Sequence, residues 1–207
     1  MNIIDAVEGR RAINYFDPQR KIPGADLDRL LELANLAPSS MNLQPWRVVA
    51  VASPEKKKLL RECAMGQPKV EEASVVLIIA GETAAVETNI APALDSWVKL
   101  GYMDPKTAAG YQGFAGKLYG DPAGERRRLF AVKNAAFFGM SVMLAARGLG
   151  LETHPVDGFD EERVKKEFGI SAGAVIPLLI CVGYLKPGAK LLPRAFRREL
   201  KDFIETV

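Results

Sequence analysis

The chain has 207 residues, of which 48% are hydrophobic and 26% charged, and a formal net charge of +3 at pH 7. That length and balance are typical of one globular domain with a sizeable core, so we expect residues 1–207 to form a single domain. The small net charge argues against a nucleic-acid partner, because such proteins need a concentrated basic face.

The first half of the chain predicts short helices that alternate with strands. Apolar residues at helical spacing indicate helices over residues 3–9 and 24–36. Arg47–Ala52 is a predicted strand, and Pro54 starts a third helix. Ser74–Ala80 is rich in β-branched residues and ends at a glycine, which indicates a buried strand.

The second half begins with a stretch of weak periodicity. Residues 90–130 place aromatic residues among glycines and prolines, which predicts two short helices joined by loops. A long helix then covers Arg126–Gly148, and its centre is apolar on every side. Such a helix needs burial all round, and a partner subunit is one way to cover it. The remaining predicted elements are a strand at 152–156, a helix at 160–168, a strand at 174–184 and a basic tail at 185–207.

This order of elements predicts an α+β fold with four or five strands, because helices and strands do not alternate regularly as in a doubly wound sheet. Neither a GxGxxG turn after a strand nor a GxxxxGK[ST] loop is present. A nucleotide site of either kind is therefore not expected.

Rare residue types narrow the possible chemistry. Cys63 and Cys181 lie far apart and match no metal or redox spacing, so we expect buried or partly buried thiols in a reducing compartment. His154 is the only histidine, which excludes a multi-histidine metal site and weakens a Ser-His-Asp hydrolase. We predict no metal site.

The N-terminus lacks a basic start followed by an apolar run. The longest apolar runs, Val75–Gly81 and Ala174–Gly183, are shorter than the ~20 residues of a membrane helix. We therefore expect a cytoplasmic protein without a membrane segment.

The loop Ala37–Trp46, APSSMNLQPW, concentrates side-chain hydrogen-bonding groups just before a buried strand. Its hydroxyls and amides suit a ligand with alternating carbonyls and ring nitrogens, or they cap the backbone of a turn. Arg10 and Arg11 follow a short helix, where they can pair with a phosphate or form a solvated helix end.

Three other clusters have a functional and a structural interpretation. Lys69 can face a ligand that becomes anionic, or lie on the surface. Gly158 permits a close backbone approach at a turn that is also explained by Asp160 capping the next helix. The basic tail at 185–207 fits a solvated terminus, and residues 126–128, three arginines, fit a solvated helix face better than a contact to NADPH.

Together and in order, these clusters resemble the nitroreductase family of FMN-dependent oxidoreductases. The family's Arg-Arg-Ser-x-Arg-x-Phe opening corresponds to residues 10–16, and its Ala-Pro-Ser-x-x-Asn-x-Gln-Pro-Trp loop to residues 37–46. The apolar helix ending at 148–150, the turn at 157–159, the strand end at 183–184 and the basic tail complete the match. The loop is the most specific of these motifs.

The resemblance implies a nitroreductase-like fold, a mostly antiparallel central sheet flanked by helices, and an intertwined homodimer with FMN at its interface. Arg10 and Arg11 would hold the phosphate and ribityl chain with Arg194, although Arg197 is an alternative to Arg194. Asn14 and Lys69 would lie at the pyrimidine edge of the flavin, with Gln67 in reach of that edge. The loop would cover the flavin of the other subunit through Pro38, Ser39, Ser40 and Asn42.

The implied activity needs no catalytic side chain. NAD(P)H would reduce FMN by hydride transfer to N5 and leave, and a nitroaromatic, quinone or similar planar acceptor would then be reduced at the same ring face. Asp157 and Gly158 would lie near N5. The implied mobile cover of this face is formed by residues 95–130, whose aromatics are Trp97, Tyr102, Tyr111, Phe114 and Tyr119; the alternative is that these aromatics pack the core.

Two residues depart from the family pattern. Ala12 replaces a serine and removes one hydroxyl contact, and Asn14 replaces an arginine or lysine and removes a positive charge. Two alternatives to the NAD(P)H activity stay open. One is the same fold with specialised flavin chemistry, namely dehydrogenation, dehalogenation or flavin fragmentation, and the other is a non-catalytic flavin-binding protein.

Overall fold

A computed structural model describes residues 2–207. The helices are α1 (Ile3–Gly9), α2 (Gly24–Ala34), α3 (Pro54–Cys63), α4 (Pro68–Glu72), α5 (Ala85–Lys99), α6 (Pro105–Tyr119), α7 (Glu125–Gly148) and α8 (Glu161–Phe168). The strands are β1 (Trp46–Val51), β2 (Val75–Gly81), β3 (Glu152–Val156) and β4 (Val175–Gly183). Short 3₁₀ turns occupy Ser40–Asn42 and Leu200–Asp202.

The four strands form one sheet in the order β1-β2-β4-β3, and every neighbouring pair is antiparallel. The predicted α+β class with an antiparallel sheet is therefore confirmed. β2 and β4 occupy the centre, and all seven residues of β2 are buried. β1 and β3 are the two opposite edges of the sheet.

The sheet divides the core into two layers because successive side chains of a strand point to opposite faces. Val76 and Ile78 of β2 pack into one layer with residues of α3 and α8. Leu77 and Ile79 pack into the other with residues of α2 and α7. A third cluster joins α5, α6 and the first half of α7.

The predicted bounds of the regular elements hold to within two residues at both ends of the sheet strands and of helices α1, α2, α7 and α8. Asp160 caps α8 as expected, because its side chain accepts a hydrogen bond from the backbone N–H of Arg163 at 3.0 Å. Cys63 and Cys181 are both free and buried. Burial raises the pKa of Cys181 to about 12, partly offset by the nearby lysines 69 and 57.

The prediction for residues 90–130 gave the correct number of helices but not their length. Two 15-residue helices, α5 and α6, replace the expected short helices and loops. Pro92 lies inside α5, and glycines recur in α6, so local propensity is poor in both. Burial of their apolar faces compensates for this poor helix propensity, because Ile90 and Leu94 of α5 pack with Ala115 of α6 in the third cluster.

α7 lies directly against the centre of the sheet. A Cβ on Gly81, at the end of β2, would stand 2.7 Å from the backbone carbonyl oxygen of Ala131, so only glycine fits this crossing. Within residues 2–207, α7 is the one helix long and apolar enough to span a bilayer, and 50% of that apolar stretch is buried in the fold.

Candidate active site

Residues 12 and 13 pair with the outer edge of β3, and residues 15–17 pair with residues 184–186, just beyond β4. The backbone N–H of Ile13 donates to the carbonyl oxygen of Thr153 at 3.1 Å, and Ala12 forms a parallel bridge to the same residue. Ile13 and Phe16 are fully buried, whereas Ala12 and Asn14 are exposed. The two apolar anchors therefore hold the polar side chains of this segment at the edge of the sheet.

Three guanidinium groups converge beside this segment. Burial lowers the pKa of Arg10 below its ordinary value, and the positive charges of Arg194 and Arg197 lower it further. Arg194 donates to the backbone carbonyl oxygens of Glu8 and Arg10. Within residues 2–207, none of the three arginines has a carboxylate partner. Concentrated positive charge without a counter-ion favours an anionic ligand such as a phosphate.

Arg11 has a different contact. Its Nη2 donates to the carbonyl oxygen of Pro193 at 3.4 Å, which ties the tail to the N-terminal segment. Arg194 makes the reciprocal tie from the tail to the carbonyl of Arg10 at 3.3 Å. Both candidate tail arginines, Arg194 and Arg197, thus lie close enough to lower the pKa of Arg10, and Arg194 also bonds its backbone.

The predicted pair Asn14 and Lys69 is in direct contact. Lys69 Nζ donates to Asn14 Oδ1 at 3.1 Å, although the residues are 55 positions apart. His154 lies behind them, with Nδ1 2.8 Å from the carbonyl oxygen of Ile13. Burial lowers the pKa of His154, the Ile13 carbonyl opposes that shift, and the charge of Lys69 reinforces it. Sequence reasoning did not place His154 here, because nothing in its spacing points to Ile13.

Gln67 and Gly158 are also brought together. Gln67 Nε2 donates to the carbonyl oxygen of Gly158 at 2.9 Å. In the part of the chain that the structure describes, the backbone N–H of Gly158 and the exposed carboxylate of Asp157 have no hydrogen-bond partner. The turn therefore presents a donor and an acceptor that are open to a ligand.

The loop before β1 has a strained backbone. Met41, Asn42 and Gln44 have positive φ angles of 52°, 53° and 43°. Each such non-glycine residue costs about 1–3 kcal/mol and persists only where its surroundings impose it. Pro38 and Asn42 are exposed, so the strained turn presents part of its surface outward.

The hydrogen bonds of this loop are partly internal, as the capping alternative proposed. Ser39 Oγ accepts from the backbone N–H of Gln44 at 2.9 Å, and Asn42 Oδ1 accepts from Gln44 Nε2 at 3.2 Å. Ser40 is bound to the helices instead. Its backbone N–H donates to Asn134 Oδ1 at 3.0 Å, and its hydroxyl bonds to that of Tyr119.

The predicted site residues therefore form two groups in one chain. Arg10, Asn14, Lys69, Gln67 and Gly158 surround the edge at β3, whereas residues 38–42 precede β1 at the other edge. The outer strands of a four-stranded sheet lie about 14 Å apart. No hydrogen bond joins the two groups within residues 2–207.

A model of the "Nitroreductase family" matches residues 7–184, which include both groups. The chain belongs to the nitroreductase family. It is 36% identical over 177 residues to NADH dehydrogenase of Thermus thermophilus, covering 84% of this chain and 82% of that protein.

Two other similarities extend over nearly the whole length of this nitroreductase-family chain. A candidate NAD(P)H nitroreductase of Bacillus subtilis, MhqN, is 30% identical over 199 residues, 96% of each chain. The crystal structure of a candidate nitroreductase from Exiguobacterium sibiricum, in complex with FMN, has a TM-score of 0.87 at 26% identity and covers 100% of this chain and 98% of that chain. Its fold and that of this chain are the same.

The chain contains an ion pair, made by a fully buried arginine, that sequence reasoning missed. Arg127, predicted to be solvated, is fully buried. Its guanidinium donates to both carboxylate oxygens of Glu87, at 2.6 and 2.9 Å, and to the carbonyl oxygens of Thr83 and Gly120, both at 2.8 Å. The correction has a physical reason: α5 and α6 fold over this face of α7. Arg126 and Arg128 remain exposed, as expected.

The aromatic residues of the expected cover separate into two sets. Tyr119 is buried and lies 4.5 Å from Phe130 between ring centroids, and Trp97 packs against the same cluster. Tyr111 and Phe114 are exposed on α6, and Tyr102 is exposed in the turn between α5 and α6. The core-packing alternative therefore applies to Trp97 and Tyr119.

Proposed function

We propose that this protein is an FMN-dependent oxidoreductase that uses NAD(P)H to reduce nitroaromatic, quinone or similar planar acceptors. The observation that carries the proposal is the convergence of Arg10, Arg194 and Arg197 beside the Lys69–Asn14 contact. An unpaired cationic cluster next to a donor-rich edge suits a ligand with a phosphate at one end and a polar ring at the other. The NADH dehydrogenase, the candidate NAD(P)H nitroreductase and the FMN complex among its relatives support the same assignment.

The order of these side chains along the edge of the sheet matches the order of the phosphate and the ring in FMN. Arg10 and Arg194 or Arg197 would bind the phosphate, with Arg11 and Ala12 alongside. Lys69, Asn14 and Gln67 would face the pyrimidine edge, and Asp157 and the N–H of Gly158 would lie near N5. Asn14 brings no charge of its own, so Lys69 is the cation at that edge.

FMN, when bound, supplies two-electron chemistry that connects NAD(P)H with the acceptor. The protein positions it and sets its electrostatics. Lys69, held by Asn14 Oδ1 at 3.1 Å, favours a ring that carries negative charge at its pyrimidine edge. No side chain is needed as a nucleophile or a general base.

The separation of the two groups supports a homodimer with FMN at its interface. Residues 38–42 of one subunit would complete the site formed by residues 10–16 of the other. Apolar side chains are available for such an interface: Ile3, Ile4, Phe137, Met140 and Phe196 are 40–81% exposed. We propose one domain over residues 1–207 and a cytoplasmic location, in which the free thiols of Cys63 and Cys181 stay reduced.

The test is the visible spectrum of the purified protein, chromatography of the cofactor that heating releases, and anaerobic titration with NADH and NADPH. Released FMN that either nucleotide bleaches is the expected result. FMN that neither nucleotide reduces would instead favour the specialised chemistry or the non-catalytic protein. A protein that binds no FMN would contradict the proposal.

The phosphate site is tested by replacing Arg10 and Arg11 together with Ala. The double variant should lose FMN on purification, because the phosphate loses charge-assisted donors that contribute about 1.5–3 kcal/mol each. Arg29→Ala is a matched control, since Arg29 is an exposed arginine paired only with Glu32. A double variant that retains full FMN occupancy would show that the phosphate lies elsewhere.

A further inference from the structure

A cavity of about 780 Å³ opens between the end of α6 and the first half of α7. Its lining includes Ser40, Leu118, Tyr119, Arg126, Leu129 and Lys133. The volume lies within the range of about 300–1,000 Å³ that is typical of small-molecule sites. Ser40 belongs to the loop that we propose covers the flavin, so this cavity adjoins the space above the ring.

The charged side chains that line the cavity are all positive. Arg126 and Lys133 are seven residues apart, which places them two turns apart on the same face of α7. No acidic side chain lines the cavity, and neither cation has a carboxylate partner within residues 2–207. Arg126 Nη1 donates to the carbonyl oxygen of Leu118 at 3.2 Å, which fixes its position at the mouth and leaves Nη2 and Nε for a ligand.

The wall between the cations is apolar. Leu129 lies between Arg126 and Lys133 along the helix and is 55% exposed, and Leu118 faces it from α6. Tyr119 closes the inner end beside Ser40. An apolar wall bounded by two cations matches a planar molecule that carries an anionic group.

We propose that this cavity binds an anionic group of a reacting substrate between Arg126 and Lys133, with the planar body against Leu129 and Tyr119. The inference rests on the proposed function, because it takes the cavity to adjoin the flavin. The anionic group can come from a carboxylate on the acceptor or from the 2′-phosphate of NADPH. Either way, the enzyme prefers the anionic member of a matched substrate pair.

The experiment compares two such pairs on the FMN-loaded enzyme. Donors are NADPH and NADH with menadione as a neutral acceptor, and acceptors are 4-nitrobenzoate and 4-nitrobenzamide with NADH as donor. In the double variant Arg126→Gln, Lys133→Gln, kcat/KM for the anionic member of one pair should fall about tenfold, because each exposed cation contributes roughly threefold. The neutral members should change little. The pair that responds identifies the source of the anion.

Two control variants distinguish the loss of a charge at this cavity from a structural change. Arg128→Gln removes an exposed charge two residues further along α7, about 200° around the helix from Arg126, and should leave both pairs unchanged. Arg126→Lys keeps the charge but alters the contact to Leu118, and should retain the preference for the anion. Calorimetric titration of the oxidised protein with 4-nitrobenzoate and NADP⁺ measures binding without turnover.

Equal kcat/KM within both pairs of the wild-type enzyme, or dissociation constants for 4-nitrobenzoate and NADP⁺ that the double variant leaves unchanged, would overturn the inference. If the enzyme is nevertheless reduced by NADH and in turn reduces menadione, the proposed function still holds. Absence of FMN binding or of reduction would count against the proposed function instead, while the calorimetric comparison still tests the cavity.

Discussion

At the scale of single residues, the flavin-site motif is supported by side chains that the motif does not contain. His154 holds the backbone of Ile13 through Nδ1 at 2.8 Å, and Asn14 follows directly. The motif residues could be predicted from the sequence, because their order and spacing are specific. His154 could not, since its contact depends on the pairing of β3 with a segment 141 residues earlier.

The lowered pKa of His154 predicts a pH dependence of stability. An unfolded histidine titrates near 6.5, and burial keeps the folded ring neutral to lower pH. The contribution is fully present above pH 6.5 and is lost as the pH falls from 6.5 through the folded pKa, because the unfolded state binds the proton first. Urea unfolding of the flavin-free protein between pH 7 and 5 should show this fall.

The carboxylates titrate mostly below this window, and the chain has no other histidine. His154→Gln should therefore flatten the pH dependence between pH 6.5 and 5. The single histidine also gives one ring resonance for a direct NMR titration. A midpoint at or above 6.5 in the flavin-free protein would contradict the prediction.

Lys69 should raise the reduction potential of bound FMN. Lys69→Gln removes the positive charge at the pyrimidine edge and keeps a donor for Asn14, so the potential should fall by about 30 mV if the charge contributes about 1.4 kcal/mol. Equilibration with redox dyes measures the shift. Lys69→Arg should preserve the potential, and Lys58→Gln, an exposed lysine on α3, should not change it. An unchanged potential in Lys69→Gln would place the lysine away from the ring.

At the scale of elements, sequence patterns succeeded where packing and local propensity agree. Continuous apolar runs in β2 and β4 and the apolar centre of α7 fixed these elements. The patterns underestimated the lengths of α5 and α6, where Pro92 and the glycines disfavour a helix and tertiary packing overrides that preference. Arg127 was misassigned for the same reason, because its burial depends on those two helices.

The Arg127–Glu87 pair should hold α5 and α6 onto α7. Arg127 is fully buried and the Glu87 side chain is 49% exposed. Breaking a fully buried pair costs about 3–5 kcal/mol, and the exposure of Glu87 reduces this, so we expect Glu87→Gln to lower the free energy of unfolding by about 2 kcal/mol. Chemical denaturation at pH 7 measures it. Asp95→Asn, on the same helix and without an ion pair, should have little effect.

The same pair predicts an acid dependence. The hydrogen bond from Arg127 lowers the pKa of Glu87 below its ordinary value of 4.5. Its contribution is therefore complete above pH 4.5 and is lost as the pH falls through the folded pKa. Wild-type stability should fall more steeply below pH 4.5 than that of Glu87→Gln. Parallel curves for the two proteins would exclude a role for this carboxylate.

At the scale of the whole molecule, a single chain leaves apolar residues of α7 exposed. The pattern of α7 predicted burial on every side, yet Phe137 and Met140 remain 46% and 40% exposed. The sequence therefore predicts a covering partner, and these two residues mark the face of α7 that it would cover. A single chain places residues 38–42 and residues 10–16 at different edges of the sheet.

A charge on this face should break the proposed dimer. Phe137→Glu buries a carboxylate at the interface, so sedimentation should show a monomer, and FMN should be lost because each site needs both subunits. Lys58→Glu, on the exposed face of α3, is the control for added negative charge. A Phe137→Glu protein that stays dimeric and yellow would show that this face of α7 lies outside the interface.

The hydrogen bond between Ile13 and Thr153 also covers part of a strand edge. Residues 12 and 13 pair with Thr153 on the outer edge of β3, and the same segment carries Asn14 and follows Arg10 and Arg11. An uncovered strand edge is a template for pairing with other chains and for aggregation. A substitution that lifts this segment from β3 therefore weakens ligand binding and solubility together, and precipitation of such a variant reports on the sheet edge as much as on the lost ligand.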